Sequence, residues 1–551
     1  MADELTARYS DLLTGTYDSV DRIVLNAYFS MGHSPGGFRT WWRRWQGGDD
    51  NLDNTHLIRL AGRFARRLRG WARANDVPVV DCKAGDRKHL IAQEYLDQGV
   101  TQPGVFVVLV ARAPATVWKV RRSARGRIVN LDKTSQYVNH YSFHIWDPTW
   151  GHVTVKMSGH PPFGAQVILN GHEYVAAAAN RAGVDYRKEG NCFTVVPDPV
   201  HLAQIADTVS HPETAGRLRE VCDRYIYTAC LCFGLDVADQ EASGFVYDYS
   251  IYQVEYSRNL LFANGVVMQR AFDAIVDRTR SRLDVKTVKT IFGARTRPHW
   301  RRKGGPPRLE AVIETPTYDL TNLKVHFGAL TLKAYTKGEH VLRIEAITHN
   351  TRDLKCGRVL DSWGAITNKL AGMAARFCTV LDCVNVGFLP DGILDQLPAP
   401  SAIGASRVGG IDLDNPRVRN ALAGVMALAA APNGFTISEF CDKVRVMTGQ
   451  GDHDYTVRQG AYDLRKLRAK GLIDKPGHTR RYYVPDHAAR TIAGILTLRD
   501  HVIAPILAGI RSPRLGRKPA AWTPIDRHYE QLRITMQELF TDLAIDTPTA
   551  A

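Results

Sequence analysis

Apolar positions along the chain follow two rhythms, one of period two and one near 3.6, and in the first 185 residues the two interleave. Val20–Phe29 reads as a strand, Thr55–Asn75 as a long helix, Pro78–Asp81 as a short strand and Gly104–Arg112 as an apolar strand. Two more strands flank the turn at Asp147-Pro148. From Pro212 to about Phe292 the pattern is helical, and Gly244, Gly265 and Gly293 cut it into several helices. Residues 309–350 return to strands and 358–385 to helix, and the Pro/Gly-rich stretch Pro398–Gly410 marks the clearest boundary. This predicts a multidomain α+β protein of 551 residues with mixed sheet-and-helix N-terminal and central domains. The expected divisions are an α/β domain over 1–200, a helical region with a basic loop over 201–308, a hairpin-plus-helix domain over 309–400, and a C-terminal domain over 411–551.

The stretch Asn139–Ser158 is a hairpin in which Trp146 should pair with His152 and His144 with Thr154. Tyr141, Phe143, Ile145, Val153, Val155 and Met157 then share a core face, while His140, His144, Trp146, His152, Thr154 and Lys156 share the other. Three readings stay open for that second face. His140, His144 and His152 are candidate ligands of a divalent metal; the face is a stacking-and-phosphate platform for a single strand; or another element covers it. Downstream, Asn170 and Glu173 look like the ends of a capping box.

The C-terminal pattern is the sharpest. A helix starts after Pro416, Thr436-Ile-Ser-Glu439 is a capping box for a second, and Thr456 caps a third over Val457–Lys470. The third helix turns Arg458, Gln459, Tyr462, Arg465, Lys466 and Lys470 outward, and a hairpin over Leu472–Val484 carries Arg480 and Arg481 at its tip. Over about residues 416–486 this order resembles a MarR-like winged helix-turn-helix. The resemblance implies a third helix in the major groove and a wing on the DNA backbone.

A second alternation covers Leu330–Thr348. Placing Leu332, Ala334, Leu342, Ile344 and Ala346 in the core needs a three-residue loop, Lys337-Gly338-Glu339, with Gly338 at positive φ. Lys333, Tyr335, Arg343 and Glu345 take the opposite face, with Lys333 beside Arg343. Over 318–352 the strands resemble the Tyr-x-Lys and Arg-x-Glu pair of rolling-circle replication initiators of plasmids and filamentous phages, here Tyr335, Lys337, Arg343 and Glu345. The resemblance implies a DNA-nicking fold with catalytic work at those four residues and a divalent metal, Mg²⁺ or Mn²⁺. The family's nucleophile finds no clear counterpart; Tyr247, Tyr249, Tyr252 and Tyr256 cluster on what reads as one helix.

Charge sharpens the picture. The formal net charge is +15, a surplus suited to a polyanionic partner. Arg39, Trp41, Trp42, Arg43, Arg63 and Arg66 interleave cations with aromatic rings, as a single-strand surface does, and Arg301 and Arg302 sit in a basic Pro/Gly loop. Asp21 and Asp81 are a weaker candidate pair for magnesium, and Gly85–His89 a candidate phosphate site at a helix start. The longest apolar run, Ala421–Pro432, is far short of the roughly 18 residues of a membrane span. The nine cysteines form no C-x-x-C pair, which fits buried thiols in a cytoplasmic protein. The sequence thus points to a nucleic-acid partner, DNA ahead of RNA, and no membrane. It points to a DNA-processing enzyme of a mobile or replicating element, with a non-catalytic DNA- or RNA-binding regulator or ribonucleoprotein component, needing no cofactor, as the alternative. It sets no oligomeric state.

Overall fold

The structure is a computed structural model that describes residues 3–126, 128–282, 288–290, 309–317, 320–327, 329–385, 389–390, 392–404, 406–504 and 524–542. The chain is α+β and forms two compact units. A sheet unit takes Ser10–Gln269 and Leu320–Ala374; a helical unit takes Met1–Tyr9, Arg270–Asp319 and Ala375–Ala551. The sheet unit therefore draws on three of the four segments that the sequence suggests.

The strands of the sheet unit are β1 (Leu13–Tyr28), β2 (Val79–Asp81), β3 (Gly104–Arg122), β4 (Ile128–Asp147), β5 (Gly151–Ser158), β6 (Ala165–Asn170), β7 (Arg187–Lys188), β8 (Phe193–Val195), β9 (Asp248–Phe262), β10 (Leu320–Phe327), β11 (Leu330–Lys337) and β12 (Val341–Thr348). Its main helices are α1 (Pro35–Trp45), α2 (Asn54–Ala74), α3 (Lys88–Asp97), α4 (Gly171–Ala182), α5 (Pro199–Ser210) and α6 (Thr214–Ala229). Within this unit the sheet runs β10–β11–β12–β9–β1–β6–β5–β4–β3–β2, antiparallel throughout except for β2 on β3.

Period-two alternation gives the central strands two unlike faces. Ile23, Leu25, Tyr141, Phe143, Ile145, Val153, Val155, Val167 and Leu169 are buried on one. Helix α2 packs there through its Leu57, Leu60, Phe64 and Leu68 stripe, with the Phe64 ring stacked 4.7 Å from Tyr141. The other face is polar and carries the candidate chemistry.

The β4–β5 hairpin has the register read from the sequence, His144 on Thr154 and Trp146 on His152. Three readings need correction. Asp248–Phe262 is not helical but strand β9, the bond between β1 and β12, so Tyr247, Tyr249, Tyr252 and Tyr256 form no helical stripe. The β11–β12 register differs by two residues: Lys333 faces Glu345 and Tyr335 faces Arg343, which replaces two adjacent cations with opposite charges. Gly338 still takes positive φ, at +59°. Asn170 caps α4 by accepting from the His172 N–H, whereas Glu173 pairs with Lys188 at 2.6 Å.

In the helical unit, α7 (Pro416–Ala427), α8 (Ile437–Thr448), α9 (Val457–Ala469) and α10 (Asp486–Thr497) follow in order. Both Thr436–Glu439 and Thr456–Gln459 form reciprocal capping boxes. After α9 the chain makes bridges Asp474–Tyr483 and Phe435–Tyr482, two contacts rather than a full hairpin ladder. Among the described residues, no helix is long and apolar enough to cross a membrane.

Candidate functional site

The polar face gathers Asp21 from β1, Glu255, Ser257 and Asn259 from β9, Arg343 and Glu345 from β12, and Lys333, Tyr335 and Lys337 from β11. Two local features bring Asp21 into this group. The β1–β9 register slips between Val20 and Ile23, and such a bulge re-aims a side chain. Next, Gly171 lets the start of α4 approach β1 closely: a Cβ there would lie 2.0 Å from the Val20 carbonyl oxygen. His172 follows, with Nδ1 2.5 Å from Asp21 Oδ1.

Arg343 is the hub and has no exposed surface. Its Nε donates to Asn259 Oδ1 at 2.6 Å and its Nη2 to the Asn191 carbonyl at 2.5 Å. Its Nη1 lies 3.3 Å from Asp21 and 3.7 Å from Glu345. Glu345 also takes Lys333 Nζ at 3.0 Å and the Tyr335 hydroxyl. Lys337 turns instead to Asn191. Of the four residues expected to be catalytic, Tyr335, Arg343 and Glu345 thus share one network, with Lys337 at its edge.

Burial alone would raise the Asp21 carboxyl, but the Arg343 guanidinium and His172 hold it down at about 2. Glu255, half-buried, goes the other way: burial, then the charges of Glu345 and Asp21, push it up to about 7. Its only side-chain hydrogen bond among the described residues is from Gln253, at 2.8 Å. Lys333 stays charged despite burial because Glu345 and Glu255 face it. Burial and then Glu345 move the Tyr335 hydroxyl well above its usual value. Asp21, His172 and Glu255 escaped the sequence reading as a group; the first was set with Asp81, which is exposed and held by Arg69 at 2.7 Å instead.

Farther along the same face, a cleft of about 460 Å³ opens between α3, the β4–β5 hairpin and the start of α4. Trp146, His152, Asn170, Glu173, Lys188 and Asn191 line it. The three candidate metal histidines do not converge there. His144 Nδ1 and His152 Nε2 hydrogen-bond to each other at 2.9 Å, whereas His140 lies four residues back, roughly 13 Å along the strand. Burial holds His144 at about 3 and His152 at about 4, so both rings are neutral near pH 7. Among the described residues, no group of three or more His, Cys, Asp or Glu side chains is placed to hold a metal ion. At the carboxylates the reason is plain: Arg343, Lys333 and His172 already occupy the oxygens of Asp21 and Glu345. These residues do not fit a resident Mg²⁺ or Mn²⁺ as they stand.

Two of the expected stacking residues are core residues. Trp41 is 0 % and Trp42 3 % exposed, because positions 41, 42 and 45 share the inward face of α1. Arg39 is tied to Asp50 and Arg63 to Asp239 and the Gly234 carbonyl, leaving Arg43 and Arg66 exposed. Arg301 and Arg302 lie outside the described residues.

On α9, Arg458, Tyr462 and Arg465 are exposed, as is Arg468, which the sequence reading passed over. Gln459 caps its own helix. Lys466 reaches the Gly410 carbonyl and Lys470 the carbonyls of Gln396 and Ala399, so both bind the preceding segment. Near the bridges, Arg480 is exposed, while Arg481 donates to the Asn433 and Gly434 carbonyls. On and beside α9 the exposed cations among the described residues therefore include Arg458, Arg465 and Arg468 on one helix and Arg480 near the bridges. No known family model matches the chain, and no curated protein or solved structure matches it either.

Proposed function

We propose that the protein is a nucleic-acid-processing enzyme of the cytoplasm, acting on phosphodiester bonds at the polar face of its sheet unit. Its helical unit then serves as a winged-helix-like DNA-binding module. The observation that carries this reading is Glu255, a half-buried carboxyl at about 7 beside Glu345, Lys333 and Asp21. A carboxyl poised there gives and takes a proton readily at neutral pH, which is what a general acid–base needs. Lys333 and Lys337 supply positive charge where a phosphoryl group gains negative charge, a stabilisation that is strong in a partly dry site. Arg343 fixes Glu345 and Asp21 from beneath and is a positioning residue. The capped helix α9, with its exposed arginines, supports the duplex-binding half of the proposal.

One observation favours a second reading, a non-catalytic DNA- or RNA-binding regulator. Asp21 and Glu345 are already matched by Arg343 and Lys333, and such a network can simply specify the fold of a polar core. Glu255→Gln separates the two. The enzyme reading expects cleavage of labelled DNA or RNA to be lost while affinity stays within about twofold. A wild-type protein that binds but never cuts would leave the regulator.

A further inference from the structure

On the same polar face stand three cations from three elements: Arg22 from β1, Lys88 at the start of α3 and Lys156 from β5. Arg22 stands opposite Asn170 of the cleft wall, and its bulge faces Glu255 on the other side. Lys156 pairs across with Gln166 and Ser142 on its neighbouring strands. Among the described residues none of the three cations enters an ion pair or a side-chain hydrogen bond, although Arg343, Lys333 and Lys188 are all paired. Partial burial and the charges of Arg22 and Lys88 press the Lys156 ammonium below its ordinary range, and Lys88 and Lys156 add to the same effect on His140. Glu255 faces Arg22 but is itself raised toward neutrality, so the repulsion among the three like charges would be relieved by an anion that joins them.

We infer that Arg22, Lys88 and Lys156 form a subsite for the phosphodiester backbone of a single nucleic-acid strand, which it leads across the polar face to Glu255 and Glu345. The strand form follows from the cleft beside it: about 460 Å³ holds a nucleotide or two, with Trp146 on its wall as a stacking surface, and has no room for a duplex. This rests on the nucleic-acid reading above but adds a binding site distinct from α9.

The test uses the full chain and a 12-residue oligodeoxythymidylate, with a duplex of the same length for comparison. Lysines are acetylated with and without the oligonucleotide and located by mass spectrometry. The subsite predicts that single-stranded DNA shields Lys88 and Lys156, and that the duplex shields Lys475 beside the α9 module instead. In Lys88→Gln/Lys156→Gln, two lost contacts at about 0.7 each lower the salt slope for the single strand by about 1.4. The affinity ratio between 50 and 200 mM salt then shrinks about sevenfold. Thermal unfolding of the variant without DNA should be unchanged or slightly higher, since a repulsion is removed, so a folding defect is separable. If the strand binds but Lys88 and Lys156 stay reactive and the slope is unchanged, the subsite is wrong and the nucleic-acid reading stands. If neither DNA binds at all, both fall.

Discussion

Replacing Arg343 by Met keeps most of the volume of a fully buried side chain and deletes the charge that Asp21 and Glu345 share. Breaking a buried ion pair from one side costs about 3–5 kcal/mol, because the remaining charge is left without its partner. Asp21 has 1 % side-chain exposure and Glu345 4 %, so solvent cannot make up the loss. At about 2–4 °C per kcal/mol, the melting temperature should fall by about 6–20 °C at pH 7. The pH dependence gives a second reading of the same contact. The Asp21 carboxyl is lowered from 3.8 to about 2, so the stability it contributes is full above pH 3.8 and lost as pH falls toward 2. Without Arg343 the carboxyl moves up from about 2 while His172 still lowers it, so the variant keeps less of that stability above pH 3.8. The gap between wild type and variant should therefore narrow on acidification from pH 7 to pH 3. Thermal unfolding followed by circular dichroism at both pH values measures it. A variant melting within 2 °C of wild type, with a gap that does not depend on pH, would refute the role given to Arg343.

Other consequences are as direct. Glu255 is raised from 4.5 to about 7, so folding stability drains away as pH rises from 4.5 through 7; Glu255→Gln should flatten that part of the stability profile, and an unchanged profile would place the carboxyl in water. Arg458→Ala with Arg465→Ala should weaken duplex binding and reduce its salt slope by about 0.9 per lost phosphate contact, measured by fluorescence anisotropy across salt; an equal slope would turn that helix toward a protein partner. Trp41→Ala should cost about 3–5 kcal/mol of stability in denaturant titration, and a stable variant with weaker single-strand binding would restore Trp41 to a surface.

How far the sequence revealed this depended on the range over which each feature is encoded. The β4–β5 hairpin was legible to the register because a tight turn and strict alternation are local. The same holds for the caps at Thr436 and Thr456, where three-residue spacing states the contact. Strand β9 was hidden because its tyrosines also fit helical spacing, and its inward polar residues Ser257 and Asn259 erase the apolar alternation. The Arg/Trp run misled for a related reason: on a helix, alternate positions do not share a face, and the tryptophans turned inward as the arginines turned out. Tyr335, Arg343 and Glu345 were visible together as neighbours on one hairpin. Their partners were not, since Asp21 stands 322 and His172 171 positions from Arg343. Only the sheet order β12–β9–β1 and the close approach at Gly171 bring them together.

The central claim is that the polar face performs chemistry on a nucleic acid and that Glu255 takes part in it. The most direct measurement incubates purified full-length protein and its Glu255→Gln variant with end-labelled single- and double-stranded DNA and RNA, with and without Mg²⁺ or Mn²⁺, and resolves the products by gel. The account predicts discrete cleavage products with the wild type, lost in the variant at equal occupancy of the nucleic acid. Intact substrate in every wild-type lane, or unchanged cleavage by Glu255→Gln, would contradict it.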